Sequence, residues 1–552
     1  MAPYLFLYGY VITVSVKWSY FFLVRQTYAL VYVPYMHEQF RKVRLSSILY
    51  FHKFPYIMEV VFPSTPMKYL NLFRRKHIFF LAASDCLPKY YLQIPRENME
   101  KNTNRTLDMT TGSAVRHIIL FAIPMLIGNI FQQVYNLVDS VIVGQFVGAD
   151  ALAAVGATGS ITFFFFAICN GIGSGGGIVV SQFFGNREYQ KVKQCIANTG
   201  YIMFFFPLVV GLVSCLFARP LLQLLKTPTE ILDVATGYTQ VLCVGLLFVS
   251  LYNYASAMLR ALGDSKTPLY FLIITSLLNV VLDILFVYTF RMGVFGAGLA
   301  TVIAQFISAA ACLIYAWKKN PFCKLEKGDF VVSGQIIRKI VYLGVPLSLQ
   351  FSLIAISSMA VQRVVNSFGT IVVAAFTATT RIEQIIHMPF QSLGSSLATY
   401  CGQNFGAGRH DRVLNGYRKS LLMMAVCTVF LVLLIYVFGG PITALFVADE
   451  EVIALGKLGL RISSLFYIFL GLIYVVRGIL NGVGDAFFSL FNGIVEVIGR
   501  FTIPILMCSY LGFGEMGIWW SAGVVWAISG ITAWMRYLKY YKYATRNGGR
   551  TN

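Results

Sequence analysis

Residues 421–438 read LLMMAVCTVFLVLLIYVF, eighteen positions without a charge, bounded by Arg418-Lys419 before and Gly439-Gly440-Pro441 after. As a helix that run is about 27 Å long, close to the hydrocarbon thickness of a bilayer. Stretches of the same kind recur at 196–217 and 241–262. The whole chain of 552 residues is 57% hydrophobic and only 12% charged, where soluble domains carry about 25% charged residues. These figures exclude a soluble enzyme and read as an all-α polytopic membrane protein.

Cutting at charged loops and Gly/Pro punctuation gives twelve spans, at 117–143, 152–180, 196–217, 237–260, 269–290, 296–316, 339–365, 371–399, 419–438, 458–480, 487–510 and 517–537. The net charge of +21 reads as topology and not as nucleic-acid binding, because basic residues mark cytoplasmic loops. With the first span starting inside, the loops on one side and the tail after 535 hold 21 Lys and Arg residues. The other side holds five: Arg219, Lys226, Arg291, Lys457 and Arg461. Both termini of the core are therefore expected in the cytoplasm. The ten cysteines form no CxxC or Cys/His cluster and read as apolar packing residues.

Residues 1–98 differ from the rest, since Lys17, Arg25, Pro34, Lys53, Pro55, Pro63 and Pro66 interrupt every apolar run, and no targeting signal is convincing there. We read 1–98 as an extension upstream of a true start at Met99, followed by a cytoplasmic segment, 99–116.

Internal similarity organises the remainder. Gln182-Phe-Phe-Gly185 matches Gln403-Asn-Phe-Gly406, Gly148 matches Gly369, and Gly263-Asp264 matches Gly484-Asp485, each 221 positions apart. The core is thus two tandem six-span halves, an N-lobe at 117–316 and a C-lobe at 339–540. A basic cytoplasmic linker, 317–338, joins them, and 541–552 forms a cytoplasmic tail. Six spans return the chain to its starting side, so the halves are parallel repeats with the substrate path expected between them.

Four acidic residues stay inside spans: Asp139, Asp283, Glu383 and Glu496. Such charges are costly in a bilayer and usually functional. Gln132 and Tyr135 precede Asp139 on its helix, Asn279 lies four residues before Asp283, and Thr301 on the sixth span reaches a similar depth. Adding 221 to 139, 279, 283 and 301 gives Ala360, Arg500, Pro504 and Ala522, so the second half lacks this constellation. Glu496 and Arg500, spaced i,i+4, read as an ion pair, whereas Glu383 has no partner that spacing can name. Gln132, Tyr135, Asn136, Arg381 and Glu383 are candidates for a substrate cavity. Pro124 and Pro346 are candidate hinges, each removing a backbone hydrogen bond.

LDMTTGS at 107–113, FAIPMLIGNIFQQVYNLVDSVIVGQFVGADALAAVG at 121–156, the Gln-Phe-Phe-Gly loop, LRALGDSKTP at 259–268, and Asn279 with Asp283 resemble the multidrug and toxic compound extrusion (MATE) family. The resemblance runs from about 107 to 540 and is nearest the bacterial branch with a cation site in its N-lobe. It implies twelve transmembrane helices in two six-helix lobes forming a V. It also implies secondary efflux of organic, often cationic and lipophilic compounds in exchange for Na⁺ or H⁺. The family's cation site falls on Asp139, Asn279, Asp283 and Thr301, where Na⁺ would bind, and its bending proline falls on Pro124. The carboxylates that the other branch carries on its seventh and tenth helices are missing here. The expectation is a monomer in a bacterial inner membrane, with lipid and small organic substrates as partners, no cofactor beyond the coupling ion, no catalysis and no nucleic acid. The rival reading is a flippase for lipids or lipid-linked oligosaccharides.

Overall fold

The computed structural model describes residues 106–224 and 227–548, all within the compact unit that begins at Glu100. The reading of 1–98 as an extension falls outside the described residues.

Thirteen α-helices and no strand occur among the described residues. The N-terminal half contains α1 (Ala114–Phe146), α2 (Ala149–Gly185), α3 (Tyr189–Leu224), α4 (Thr229–Ala261), α5 (Lys266–Asp283) and α6 (Gly293–Lys319). The C-terminal half contains α7 (Gly334–Asn366), α8 (Thr370–Gly406), α9 (His410–Thr443), α10 (Glu450–Ser464), α11 (Tyr467–Val483), α12 (Ala486–Ile505) and α13 (Gly517–Gly548). Ten helical spans are long and apolar enough to cross a membrane, and α10 with α11, bent by 51° at their junction, forms an eleventh crossing. The tenth span of the sequence reading is thus two helices. The twelfth crossing is α8, whose 37 residues are diluted by Arg381, Glu383, Gln384, His387 and Gln391, yet whose other face is buried by Ile382, Ile386, Phe390 and Leu397. The molecule is a twelve-span membrane protein of two six-span lobes.

The outer surface is apolar, as lipid requires. On α9, Val426, Phe430, Leu433 and Val437 are each more than half exposed. The inside is held by close approach of small residues, which stands in for a hydrophobic drive between helices in lipid. A Cβ on Gly175 would lie 2.5 Å from the Gly344 nitrogen, and one on Gly171 would lie 2.4 Å from the Ser348 nitrogen, so α2 and α7 touch backbone to backbone.

Each lobe lends the start of its first helix to the other. Ile118 and Phe121 of α1 are buried in the C-lobe core with Phe390, Leu397 and Leu470, and Ser396 Oγ donates to the Ile118 carbonyl at 2.9 Å. Ile340, Leu343 and Leu347 of α7 are buried in the N-lobe core with Ile178, Val179 and Met258. Cys195 and Cys401 sit in these cores as free thiols.

The ends of α2 and α8 that lead into Arg187, Lys191, Lys193, Arg409 and Arg412 form one face, the basic end. There the repeated motifs close on each other. A Cβ on Gly185 would meet the Gln403 carbonyl oxygen at 1.8 Å, and one on Gly406 would meet the Gln182 carbonyl oxygen at 1.9 Å. Gln182 Nε2 donates to the Gly482 carbonyl at 2.9 Å and Gln403 Nε2 to the Ala261 carbonyl at 3.0 Å, so each amide reaches across to the other lobe. The segment before α1 adds a strap. Leu107 N donates to the Leu262 carbonyl, Met109 N donates to Gln403 Oε1, and Arg412 donates to the carbonyls of Met109, Thr111 and Gly112.

Candidate functional site

Asp139 lies 25 residues along α1, and Asp283 is the last residue of α5, immediately before a π-helical turn, Ile284–Thr289. Such turns are frequent at functional sites because they re-aim side chains. The two carboxyls face each other near the Tyr135 and Tyr238 hydroxyls. Asp283 is fully buried, and neither of its oxygens, nor Asp139 Oδ1, receives a hydrogen bond among the described residues. One turn before Asp283, Asn279 is 2% exposed, and its Nδ2 reaches Thr301 Oγ1 at 3.5 Å while its Oδ1 has no donor. Thr301 Oγ1 itself donates to the Ala297 carbonyl at 3.1 Å.

The structure therefore brings Asp139 to Asp283 and Asn279 to Thr301, leaving four acceptor oxygens without donors on one wall of the N-lobe. Buried carboxylates without donors are costly unless a cation or protons neutralise them. An all-oxygen set suits a hard cation or protons better than a soft metal.

One cavity adjoins this wall and a second lies behind it. A small one of about 10 Å³ is lined by Tyr135, Leu272, Thr275, Ser276, Asn279, Thr301, Ala304 and Gln305. The larger, about 440 Å³, lies between the lobes above the glycine clasp and takes its walls from α1, α2, α4, α5, α6, α7, α8 and α11. Leu272 and Gln305 border both cavities. Ion wall and central cavity are thus neighbours separated by one layer of side chains.

The candidates for the substrate cavity divide. Pro124 and Gln132 line the central cavity, and Tyr135 lines the small one. Asn136 and Arg381 are exposed and line neither. Glu383 is turned into the C-lobe near Ser463 and Arg500, with its Oε1 lacking a donor, and does not line the central cavity either.

The reading of Glu496 also changes. Its close partner is Arg477 of α11, with Nη2 to Oε1 at 2.5 Å, and Ser529 Oγ adds a bond at 3.1 Å. Arg500, four residues on, stands at 3.9 Å. Sequence reasoning missed Arg477 and Arg260 as cavity residues. Both lie at or near the ends of the spans 237–260 and 458–480, where a basic residue reads as a topology signal, but the structure places them in α11 and in the last turn of α4, facing the cavity.

The family model described as MatE matches residues 124–285 and 346–504. The "Probable multidrug resistance protein YpnP" of Bacillus subtilis (strain 168) is 30% identical over 442 residues, covering 80% of this chain and 97% of that protein. The "Multidrug export protein MepA" of Staphylococcus aureus (strain MSSA476) is 22% identical, covering 75% of this chain and 91% of that protein. Among solved structures, "Crystal structure of MATE in the straight conformation" superposes with a TM-score of 0.76 at 21% identity, covering 81% of this chain and 100% of that one. The structure described as "Reverse polarity of binding pocket suggests different function of a MOP superfamily transporter from Pyrococcus furiosus Vc1 (DSM3638)" superposes at 0.75 with 21% identity and the same coverage.

Proposed function

The chain belongs to the MATE family of efflux transporters, and from that premise we propose that it is a secondary antiporter exporting organic compounds in exchange for inward Na⁺ or H⁺ bound at Asp139, Asn279, Asp283 and Thr301. The observation that carries this reading is the set of four acceptor oxygens without donors on the N-lobe wall. A Na⁺ ion would use them as ligands, and protons would neutralise the carboxyls. Either event removes the cost of two facing, buried charges.

The ion changes the cavity through α1, which carries Asp139 on the ion wall and Pro124 and Gln132 on the central cavity. Pro124 interrupts the helix ladder and is the natural place for α1 to bend. The basic end faces the cytoplasm by the excess of Lys and Arg there. The clasp of Gly185 and Gly406 then closes the cytoplasmic side while the central cavity awaits exchange with the outside. The protein works as a monomer in the plasma membrane.

The test is purified protein in proteoliposomes, with ethidium, norfloxacin and carboxyfluorescein as trial substrates. Substrate-stimulated ²²Na⁺ flux identifies sodium coupling, and dissipation of a pH gradient identifies proton coupling. Efflux by Asp139→Asn at the wild-type rate and with wild-type ion dependence would remove the N-lobe site from the mechanism.

A further inference from the structure

The central cavity has a chemistry opposite to that of the ion wall. Among the described residues that line it there is no Asp or Glu, while two arginines, Arg260 and Arg477, and eight Asn or Gln side chains face it. The arginines belong to a symmetric pair of stripes. On α4, Asn253, Ser256 and Arg260 are spaced i, i+3, i+7, and on α11, 221 positions later, Tyr474, Arg477 and Asn481 have the same spacing. That spacing keeps each trio on one helical face. Each lobe therefore presents one guanidinium to the cavity, one turn apart along the repeat.

The two guanidiniums are not equally committed. Arg477 is held by Glu496 and by Asn492 Oδ1 at 2.7 Å. Arg260 has no carboxylate within ion-pair distance among the described residues, and its only hydrogen bond there runs from Nη1 to Ser256 Oγ at 2.5 Å. A basic residue in the last turn of α4 is favoured by the helix dipole. The dipole does not account for Asn253, two stripe positions away beyond Ser256, whose buried Nδ2 donor has no acceptor among the described residues. An amide donor without an acceptor thus shares one stripe with a guanidinium that has no carboxylate partner among the described residues.

We propose that the stripe of Asn253, Ser256 and Arg260 is a binding site for an organic anion. A carboxylate or phosphate group pairs with Arg260 and accepts from Asn253 Nδ2, and the polar remainder of the solute bonds to the amides of the opposite wall. A volume of about 440 Å³ fits a drug-sized solute. A planar guanidinium suits a two-oxygen anion through parallel hydrogen bonds. This inference rests on the central cavity being the substrate path and is independent of which ion the aspartates take. It replaces the lipophilic cation expected from the family resemblance.

The experiment is equilibrium binding to purified protein in phosphatidylcholine nanodiscs with no ion gradient, so loss of ion coupling does not enter the result. The probes are carboxyfluorescein as a free anion, ethidium as a cation, and farnesyl phosphate included in the bilayer as a lipid-borne phosphate. The free anion is expected to bind, with farnesyl phosphate competing if the natural source is a lipid. Arg260→Gln, which keeps a donor for Ser256, weakens anion binding roughly ten- to hundredfold, the worth of one charge-assisted contact. Arg260→Lys recovers part of it, and thermal melting of both variants reports folding. Preference for ethidium, absence of binding by both anions, or anion binding indifferent to Arg260→Gln in folded protein would each overturn the proposal. Anion binding that persists while ion-driven transport fails would count against the antiport reading alone.

Discussion

The two lobes share a backbone and differ in what their buried charges are given to bond. Positive φ angles recur at Gly148 and Gly369, at Gly263 and Gly484, at Gly293 and Gly514, and at Arg187 and Gly408, every pair 221 positions apart. Both fifth spans end in a π-helical turn, at Ile284–Thr289 and Leu506–Tyr510. On that common frame the N-lobe leaves Asp139 Oδ1 and both Asp283 oxygens without donors among the described residues, whereas the C-lobe gives Glu496 two arginines and the Ser529 hydroxyl. Where Asn279 stands in one lobe, Arg500 stands in the other. On the proposed mechanism the saturated Glu496 belongs to the architecture, and the unsaturated N-lobe pair receives an ion from outside.

The largest effect expected from this contrast is in transport. Asp139→Asn and Asp283→Asn should each give folded, membrane-inserted protein whose cation-dependent efflux falls to background. The double variant should be little worse than either single one, because neighbours sharing one function are not additive. Their melting temperatures should stay at or above that of the wild type, since each change removes an uncompensated buried charge. A large loss of stability would make the pair structural and erase the contrast.

Glu496→Gln is the mirror experiment. Removing one partner of a buried pair costs about 3–5 kcal/mol because the other charge is left uncompensated, here Arg477. The melting temperature should therefore fall sharply. Stability unchanged in Glu496→Gln would place the C-lobe carboxylate in the same class as the N-lobe pair.

The clasp offers a test in which the lobes should behave alike. Gly185→Ala and Gly406→Ala each drive a methyl group into a carbonyl oxygen of the facing lobe, which only separation at the basic end can relieve. Both substitutions should shift the population toward a conformation open at that end, seen as lengthened spin-label distances between the α2–α3 and α8–α9 turns. Cysteines at Lys191 and Arg409, both about half exposed, should in turn react with impermeant reagents only in inverted vesicles. Opposite accessibility of the two sites would refute the parallel repeat.

Span count and repeat were legible because both are written in local patterns: apolar runs bounded by charge, and Gln-x-x-Gly at a fixed offset. Asn279 and Asp283 could be paired because four residues is one helical turn. The role of Arg260 and Arg477 was not legible, since a charge at a span edge looks the same whether it points to water or into a cavity. Nor was the bond from Arg477 to Glu496, which joins two helices and follows no spacing, whereas Arg500 at i+4 offered a plausible local partner. The strap at Leu107 and Met109 was hidden for the same reason, its anchors Gln403 and Arg412 lying some three hundred residues away.

The smallest expected effect comes from Glu383, where the contrast between lobes is weakest. Among the described residues its Oε1 lacks a donor and the nearby Tyr467 hydroxyl lacks a partner, so the C-lobe too contains an incompletely bonded carboxyl. It differs from the N-lobe pair in two respects. Arg500 lies close enough to offset its charge, and among the described residues no second carboxyl faces it. An amide fits that setting: in Glu383→Gln the new Nε2 donor lies beside the Tyr467 hydroxyl oxygen, and one added neutral hydrogen bond is worth about 1 kcal/mol. The variant should melt at or slightly above the wild-type temperature and retain ion-coupled efflux. Loss of ion dependence as complete as in Asp139→Asn, with the protein still folded, would show that coupling extends into the C-lobe and that the two lobes divide the work rather than differ in kind.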